Sequence, residues 1–369
     1  MQRFKRNTII FNHILFFVLL FCSTNALSQG SIQQNIGIES RTKIGYLIPH
    51  RAVMHHLVQG HAYSVEISGV FQTDGSKAWH HTYNFPRIGI TASLNTLGNS
   101  EVLGNGVGIF PFIELPLVKN DKWVFNSRKG FGLAYISKVF DQQTNQKNNA
   151  ISTHLNANVT LGIDLSRRFK QSLVTLGLEM THFSNGANRM PNLGLNYPYF
   201  SLGYTRYFKS LEINDSLPPL LPSFSKWSLL MGGFASTRQI YPTGGDNYLI
   251  TSGGLFLQKQ FRPKVKAEIG LEGFYNQSHY GYFSELDPSR NEVIQLGAYA
   301  GYLLPLERLE FLVGMGYYYR NQLSPDGPFY HRFGMRYKFS TRWTANLAIK
   351  AHWGKADYFE YGIFYSLKK

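Results

Sequence analysis

Strict alternation of apolar and polar side chains, sustained over a dozen residues at a time, constrains this chain more than any other feature. In residues 171–184 the even positions Val174, Leu176, Leu178 and Met180 are apolar. The odd positions Thr175, Gly177, Glu179 and Thr181 are small or polar. Residues 153–165 behave the same way, with Leu155, Ala157, Val159, Leu161 and Ile163 opposing His154, Asn156, Asn158, Thr160 and Asp164. In residues 342–353 an apolar stripe (Trp343, Ala345, Leu347, Ile349, Ala351, Trp353) begins and ends in tryptophan and opposes Arg342, Thr344, Asn346, Lys350 and His352. Period two is the signature of a strand with two unlike faces. Strands of soluble sandwiches usually stop after about 5–6 residues. Strands that cross a bilayer at a tilt need about 9–11 and carry aromatic side chains at both interfaces.

The expected fold is therefore all-β, a transmembrane antiparallel β-barrel with about sixteen candidate strands between residues 43 and 369. Short links follow Leu165, Phe261, Pro305 and Ser340, and longer polar ones follow Phe140, Ser184, Ile240 and Ser278. This matches the short inner turns and long outer loops of such barrels. Residues 119–130 look long for an inner turn. The Pro-rich stretch 210–226 divides the strands into two groups of about eight. One large barrel is preferred over the alternative of tandem eight-stranded barrels, because two would each have to close and insert. Residues 29–209 are then a barrel portion with the candidate site, and residues 210–369 continue the same barrel. A loose likeness between GLEMTHFSN and GLEGFYNQS reads either as duplication or as shared strand grammar.

Residues 1–28 read as a secretory signal peptide: basic Arg3, Lys5 and Arg6, an apolar run over residues 14–22, then small and polar residues. Its removal would take away Cys22, the only cysteine, so no disulfide or cysteine nucleophile is expected. The formal net charge is +15. An exported chain seldom meets nucleic acid, and no basic cluster with interleaved aromatics is present. The charge suits anionic headgroups at a membrane surface. The expected location is a bacterial outer membrane.

Familiar phosphate, calcium, zinc-protease and GxSxG motifs are absent. His55–His56 and His80–His81, read as strand neighbours, point to opposite faces and do not share a metal. No metal and no cofactor are expected. Residues 181–196, THFSNGANRMPNLGLN, stand apart. His182 and Ser184 lie two apart on one strand and share the apolar face of Leu176, Leu178 and Met180. Polar side chains at the edge of lipid are costly without a purpose. A histidine beside a serine is the minimum for acyl transfer: imidazole takes the hydroxyl proton and the oxygen attacks an ester. Amide donors at Asn185 and Asn192 are placed to stabilise an oxyanion. The plain alternative is an interfacial histidine and a strand-ending serine before an Asn-Gly turn.

The motif His182-x-Ser184-Asn185, followed by Pro191-Asn192 and Gly194, resembles the signature of the outer-membrane lipid A 3-O-deacylases, the PagL family. The stretches LIPHRAVMHHLVQGH, YNFPRIGI and KAHWGKADYFEYGIFY resemble its longer members, labelled acyloxyacyl hydrolases, from Bacteroidetes-type bacteria. The resemblance implies an eight-stranded barrel with its site on the outer wall. It also implies removal of an ester-linked acyl chain from lipid A or another outer-leaflet lipid, by a Ser-His-acid mechanism without metal. Residue by residue, it implies Ser184 as nucleophile, His182 as general base, Asn192 as an oxyanion amide with Asn185 directly after the nucleophile, and Asn196 where the family has its acid. An amide orients imidazole but stabilises imidazolium less well than a carboxylate. The competing expectation is a non-enzymatic barrel, a pore or a structural protein, with Arg332, Arg336, Lys338, Arg342 and Lys350 lining an anion-favouring lumen.

Overall fold

A computed structural model describes residues 34–214, 227–323 and 326–368. The expected signal peptide and most of the Pro-rich stretch lie outside the described residues. The chain forms sixteen antiparallel strands. The first eight are β1 (Ile36–Tyr46), β2 (His61–Gln72), β3 (Arg87–Thr96), β4 (Asn105–Lys119), β5 (Trp123–Ile136), β6 (Leu155–Phe169), β7 (Ser172–Ser184) and β8 (Leu195–Tyr207). The second eight are β9 (Ser228–Gln239), β10 (Asn247–Arg262), β11 (Val265–Asn276), β12 (Ile294–Leu306), β13 (Leu309–Arg320), β14 (Phe329–Lys338), β15 (Trp343–His352) and β16 (Lys355–Lys368).

The preference for one large barrel is corrected. β1 pairs with β8, from Gly37↔Tyr207 to Gly45↔Tyr199, and closes the first barrel. β16 pairs with β9, including Tyr361↔Ala235, and closes the second. Alternation reports which face a side chain takes, not which strand lies beside it, so the closing pairs were invisible in the sequence pattern. Residues 228–368 therefore form a barrel of their own and do not continue the first. GLEMTHFSN ends the seventh strand of one barrel and GLEGFYNQS the third strand of the other, so the two segments do not occupy equivalent strands.

Eight strands leave an interior that side chains fill. In the first barrel Arg41 pairs with Glu39, Asp164 and Glu179, and Lys43 bridges Glu66 and Glu179. Arg87 and Arg128 both pair with Glu39 and Glu114. In the second, Arg332 holds Glu272 and Glu360, and Arg336 holds Glu268. This corrects the pore alternative: Arg332, Arg336 and Lys350 are buried in ion pairs rather than lining water, while Lys338 and Arg342 are exposed near a strand end. Buried charges are tolerable because each faces a charge of opposite sign. The outer walls are apolar, with Leu176, Leu178, Leu161, Ile163, Tyr361 and Ile363 all exposed there.

The link between β4 and β5 is only residues 120–122, shorter than expected, because both strands run past the positions read as turn. One inner connection departs from the short-turn rule: residues 73–86 carry a helix, α1 (Ala78–Thr82). That connection meets the β12–β13 turn of the second barrel. Tyr83 Oη donates to Pro305 O at 2.6 Å, Lys77 pairs with Glu307 at 3.0 Å, and Tyr83, Ile113 and Leu115 pack with Leu306.

Candidate active site

The site sits where the β7–β8 connection leaves the wall of the first barrel. Along β7 the outward positions Val174, Leu176, Leu178 and Met180 are exposed, and the inward ones, Glu179 among them, are buried. His182 and Ser184 continue the outward row but lie half-buried and buried, sheltered by the connection above them. The antiparallel register places His182 directly opposite Asn196 on β8. Directly paired residues on one face bring their side chains within reach, which explains how positions fourteen apart in sequence meet.

The three side chains form a line. His182 Nε2 lies 2.9 Å from Ser184 Oγ, and His182 Nδ1 lies 2.7 Å from Asn196 Oδ1. On the far side of the Asn196 amide, Nδ2 lies 3.1 Å from His50 Nδ1 and donates to it when that ring carries its proton on Nε2. With Oδ1 turned to His182, Nδ1 of that ring carries the proton and Nε2 presents its lone pair to the serine hydroxyl. Such tautomers are inferred from the bonding pattern, and here each partner fits the next. His50 is reached because Ile48 N donates to Asn196 O at 2.9 Å, extending the β1–β8 pairing past the strand end. Sequence reasoning missed His50. It lies within a stretch quoted for its family likeness, but no spacing rule ties it to a residue 146 positions away.

Gly194 makes room for the imidazole. Its φ is +77°, and a Cβ there would stand 2.8 Å from His182 Cε1. Only glycine meets both demands without strain.

The two expected oxyanion amides have different surroundings. Asn185 Nδ2 donates to Ser152 Oγ and to Arg189 O, both at 3.0 Å. Both of its amide hydrogens are thus committed to holding the loop, and the side chain is buried. Asn192 Oδ1 accepts the backbone N–H of Asn185 at 3.0 Å, which orients its amide beside the residue that follows the nucleophile. Among the described residues its Nδ2 meets no acceptor.

The histidine pairs lie elsewhere: His55 and His56 on a 3-10 turn, Ala52–Leu57, and His80 and His81 on α1, not on strands. Among the described residues the one group dense enough for a metal is Asp326, His352 and Asp357, at the outer mouth of the second barrel, with donor atoms within 4.8 Å of one another. Its carboxylates are already taken. Asp357 pairs with Arg238 and, at 2.6 Å, with Lys350, and Asp326 pairs with Lys355 at 2.7 Å. Three cations around two acids do not fit a resident metal ion.

Two family models match the chain. Residues 64–205 match lipid A 3-O-deacylase (PagL), and residues 225–369 match the acyloxyacyl hydrolase C-terminal domain. No curated protein matches. Among solved structures, Neisserial surface protein A aligns at 8% identity with a TM-score of 0.32, covering 47% of this chain and 98% of its own. A triple mutant of the Rhodopseudomonas blastica porin aligns at 7% identity with a TM-score of 0.18, covering 90% and 99%. At these scores the likeness carries no argument, and the barrels rest on their own strand pairing.

Proposed function

The chain belongs to the lipid A 3-O-deacylase (PagL) and acyloxyacyl hydrolase family, ester hydrolases of the outer membrane, and on that premise we propose that it removes an ester-linked acyl chain from lipid A or a related outer-leaflet lipid by a Ser-His mechanism. The observation that carries the reading is the Ser184–His182–Asn196 line on the lipid-facing wall, with spacings of 2.9 and 2.7 Å.

Each group has a role its position suits. Ser184 Oγ attacks the ester carbonyl while His182 Nε2 takes its proton. The Asn192 Nδ2 amide donates to the oxyanion that forms. Asn185 holds the loop that carries Asn192, so its side chain supports the oxyanion site rather than entering it. The imidazolium then gives its proton to the departing sugar oxygen as the carbon–oxygen bond breaks, leaving an acyl-Ser184. Water, deprotonated by the same imidazole, releases the fatty acid and restores the hydroxyl. Asn196 orients the ring and stabilises the imidazolium by a dipole in place of a full charge. His50 keeps that dipole pointing the right way. The scheme uses no metal or cofactor.

The lipid-facing placement supplies proximity. A substrate anchored in the outer leaflet arrives with its acyl chains already beside Leu178 and Met180, so little orientation remains to be found. The test is the mass spectrum of lipid A from cells carrying the protein or its Ser184→Ala variant. A deacylated species with the first and none with the second supports the reading. Identical spectra from the two sink it.

A further inference from the structure

The second barrel grips the loop that joins the nucleophile to Asn192. Gln239, at the outer end of β9, is 4% exposed and makes two hydrogen bonds across the gap. Its backbone N–H donates to Ala187 O at 3.0 Å. Its Oε1 accepts from Met190 N at 2.7 Å. A third bond, from Nε2 to Gly245 O at 2.7 Å, fixes the side chain from its own barrel. Beside it Thr237 Oγ1 donates to Asn188 Oδ1 at 2.7 Å. Phe359 of β16 closes the other side, and a Cβ on Gly186 would collide with its ring.

These contacts fall on the segment that most needs them. Gly186 and Ala187 both have positive φ, +62° and +61°, so the chain reverses immediately after the site. A non-glycine residue in that region costs free energy and persists only when its surroundings hold it. The bonds at 187 and 190 flank Arg189, whose carbonyl accepts from both Asn185 and Ser152. Two residues beyond Met190 stands Asn192, hydrogen-bonded back to Asn185 N–H. Held at both ends, the loop keeps the Asn192 amide against the backbone of the residue that follows Ser184.

We propose that the second barrel completes the active site of the first, with Gln239 as the positioning residue that sets the oxyanion loop. This rests on the esterase reading above. It gives residues 228–368 a task that barrel closure alone does not. Because the second barrel reaches the loop and not the Ser-His pair, its loss raises the barrier to ester cleavage without disturbing the base. The expected signature is a lower kcat with little change in KM.

The test uses the full chain in outer-membrane vesicles or detergent. Gln239→Ala is expected to lower kcat about 10- to 100-fold, the scale of a misplaced oxyanion donor or slightly less. Gln239→Glu, which still accepts from Met190 N–H but loses the donation to Gly245 O, is expected to recover part of that loss. Glu307→Gln, at the inner contact between barrels, serves as the control and is expected to keep wild-type kcat. In parallel, amide exchange over residues 186–192 is expected to speed up in Gln239→Ala. Wild-type kcat together with unchanged exchange in Gln239→Ala would overturn the proposal and leave the esterase reading standing. Should Ser184→Ala match wild type, the esterase reading fails instead. The exchange then decides whether the second barrel holds this loop: faster exchange supports the hold, and unchanged exchange overturns it.

Discussion

The two barrels share a strand count and a charged interior, yet they place their outer polar clusters on opposite sides of the wall. In the second barrel Arg238, Lys350, Asp326, His352 and Asp357 gather at the mouth, inside the strands. Its last two strands are joined by a tight turn at Trp353 and Gly354. In the first barrel the last two strands are joined by residues 185–194, and the cluster of His182, Ser184 and Asn196 lies on the outside. The inner cluster is built from opposite charges, three cations around two carboxylates, and such pairing is what a buried charge needs to be tolerated. The outer cluster holds no acid at all. Its members satisfy one another in a directed chain, from hydroxyl to imidazole to amide to His50. Neutral groups strung in one direction at the edge of lipid are poorly explained by stability and well explained by proton transfer.

That contrast is broken most severely by removing the outer cluster. Ser184→Ala and His182→Ala are each expected to reduce ester cleavage by at least about 10²–10⁴-fold, the typical contribution of general base assistance. Both variants should still give folded, heat-modifiable barrels on gels, since neither side chain packs in an interior. A smaller but still large loss is expected for Gly194→Ala, because the added methyl meets His182 Cε1 and the φ of +77° disfavours any side chain. Crystallography or imidazole chemical shifts would report the displaced ring.

Asn196 tests whether a neutral third member suffices. Asn196→Ala is expected to cost less than Ser184→Ala, since it removes an orienting dipole and no charge. Asn196→Asp keeps the reach of the 2.7 Å contact and adds a charge to stabilise the imidazolium, so turnover should rise. Asn196→Glu carries one more methylene and fits the same gap less well. A kcat series over the three variants reads the order directly. No gain in Asn196→Asp would show that the amide already does all that the position requires.

The inner cluster should respond in the opposite sense. Asp326→Asn loosens Lys355 and Arg238 at the mouth of the second barrel and is expected to lower the unfolding temperature in detergent while leaving kcat nearly unchanged. A collapse of kcat at unchanged stability would assign chemistry to the second barrel. The smallest expected effects belong to single-cysteine labelling of the walls at uncharged positions: a lipid-soluble maleimide should mark Leu176→Cys and spare Thr175→Cys.

Much of this contrast was readable in the sequence, and what was missed has physical causes. Parity put Leu176 outside and Glu179 inside, as found. It also placed His182 and Ser184 on one face, because alternation fixes a side chain's face wherever one face is buried. Closure was not readable, since the β1–β8 and β9–β16 pairs join segments that no local pattern links. His50 was hidden for the same reason. The helices around His55 and His80 were missed because short turns of helix inside a loop leave no period to detect. The committed donors of Asn185 depended on where Ser152 and Arg189 fall in space.

The central claim is that the lipid-facing line through Ser184 cleaves an acyl ester. The most direct measurement is mass spectrometry of lipid A after incubation with the purified wild-type protein or with Ser184→Ala, in vesicles that contain it. Loss of one acyl chain with wild type, with release of the matching free fatty acid and neither event in Ser184→Ala, is the predicted result. Intact lipid A with both proteins, or equal deacylation by both, would contradict the account.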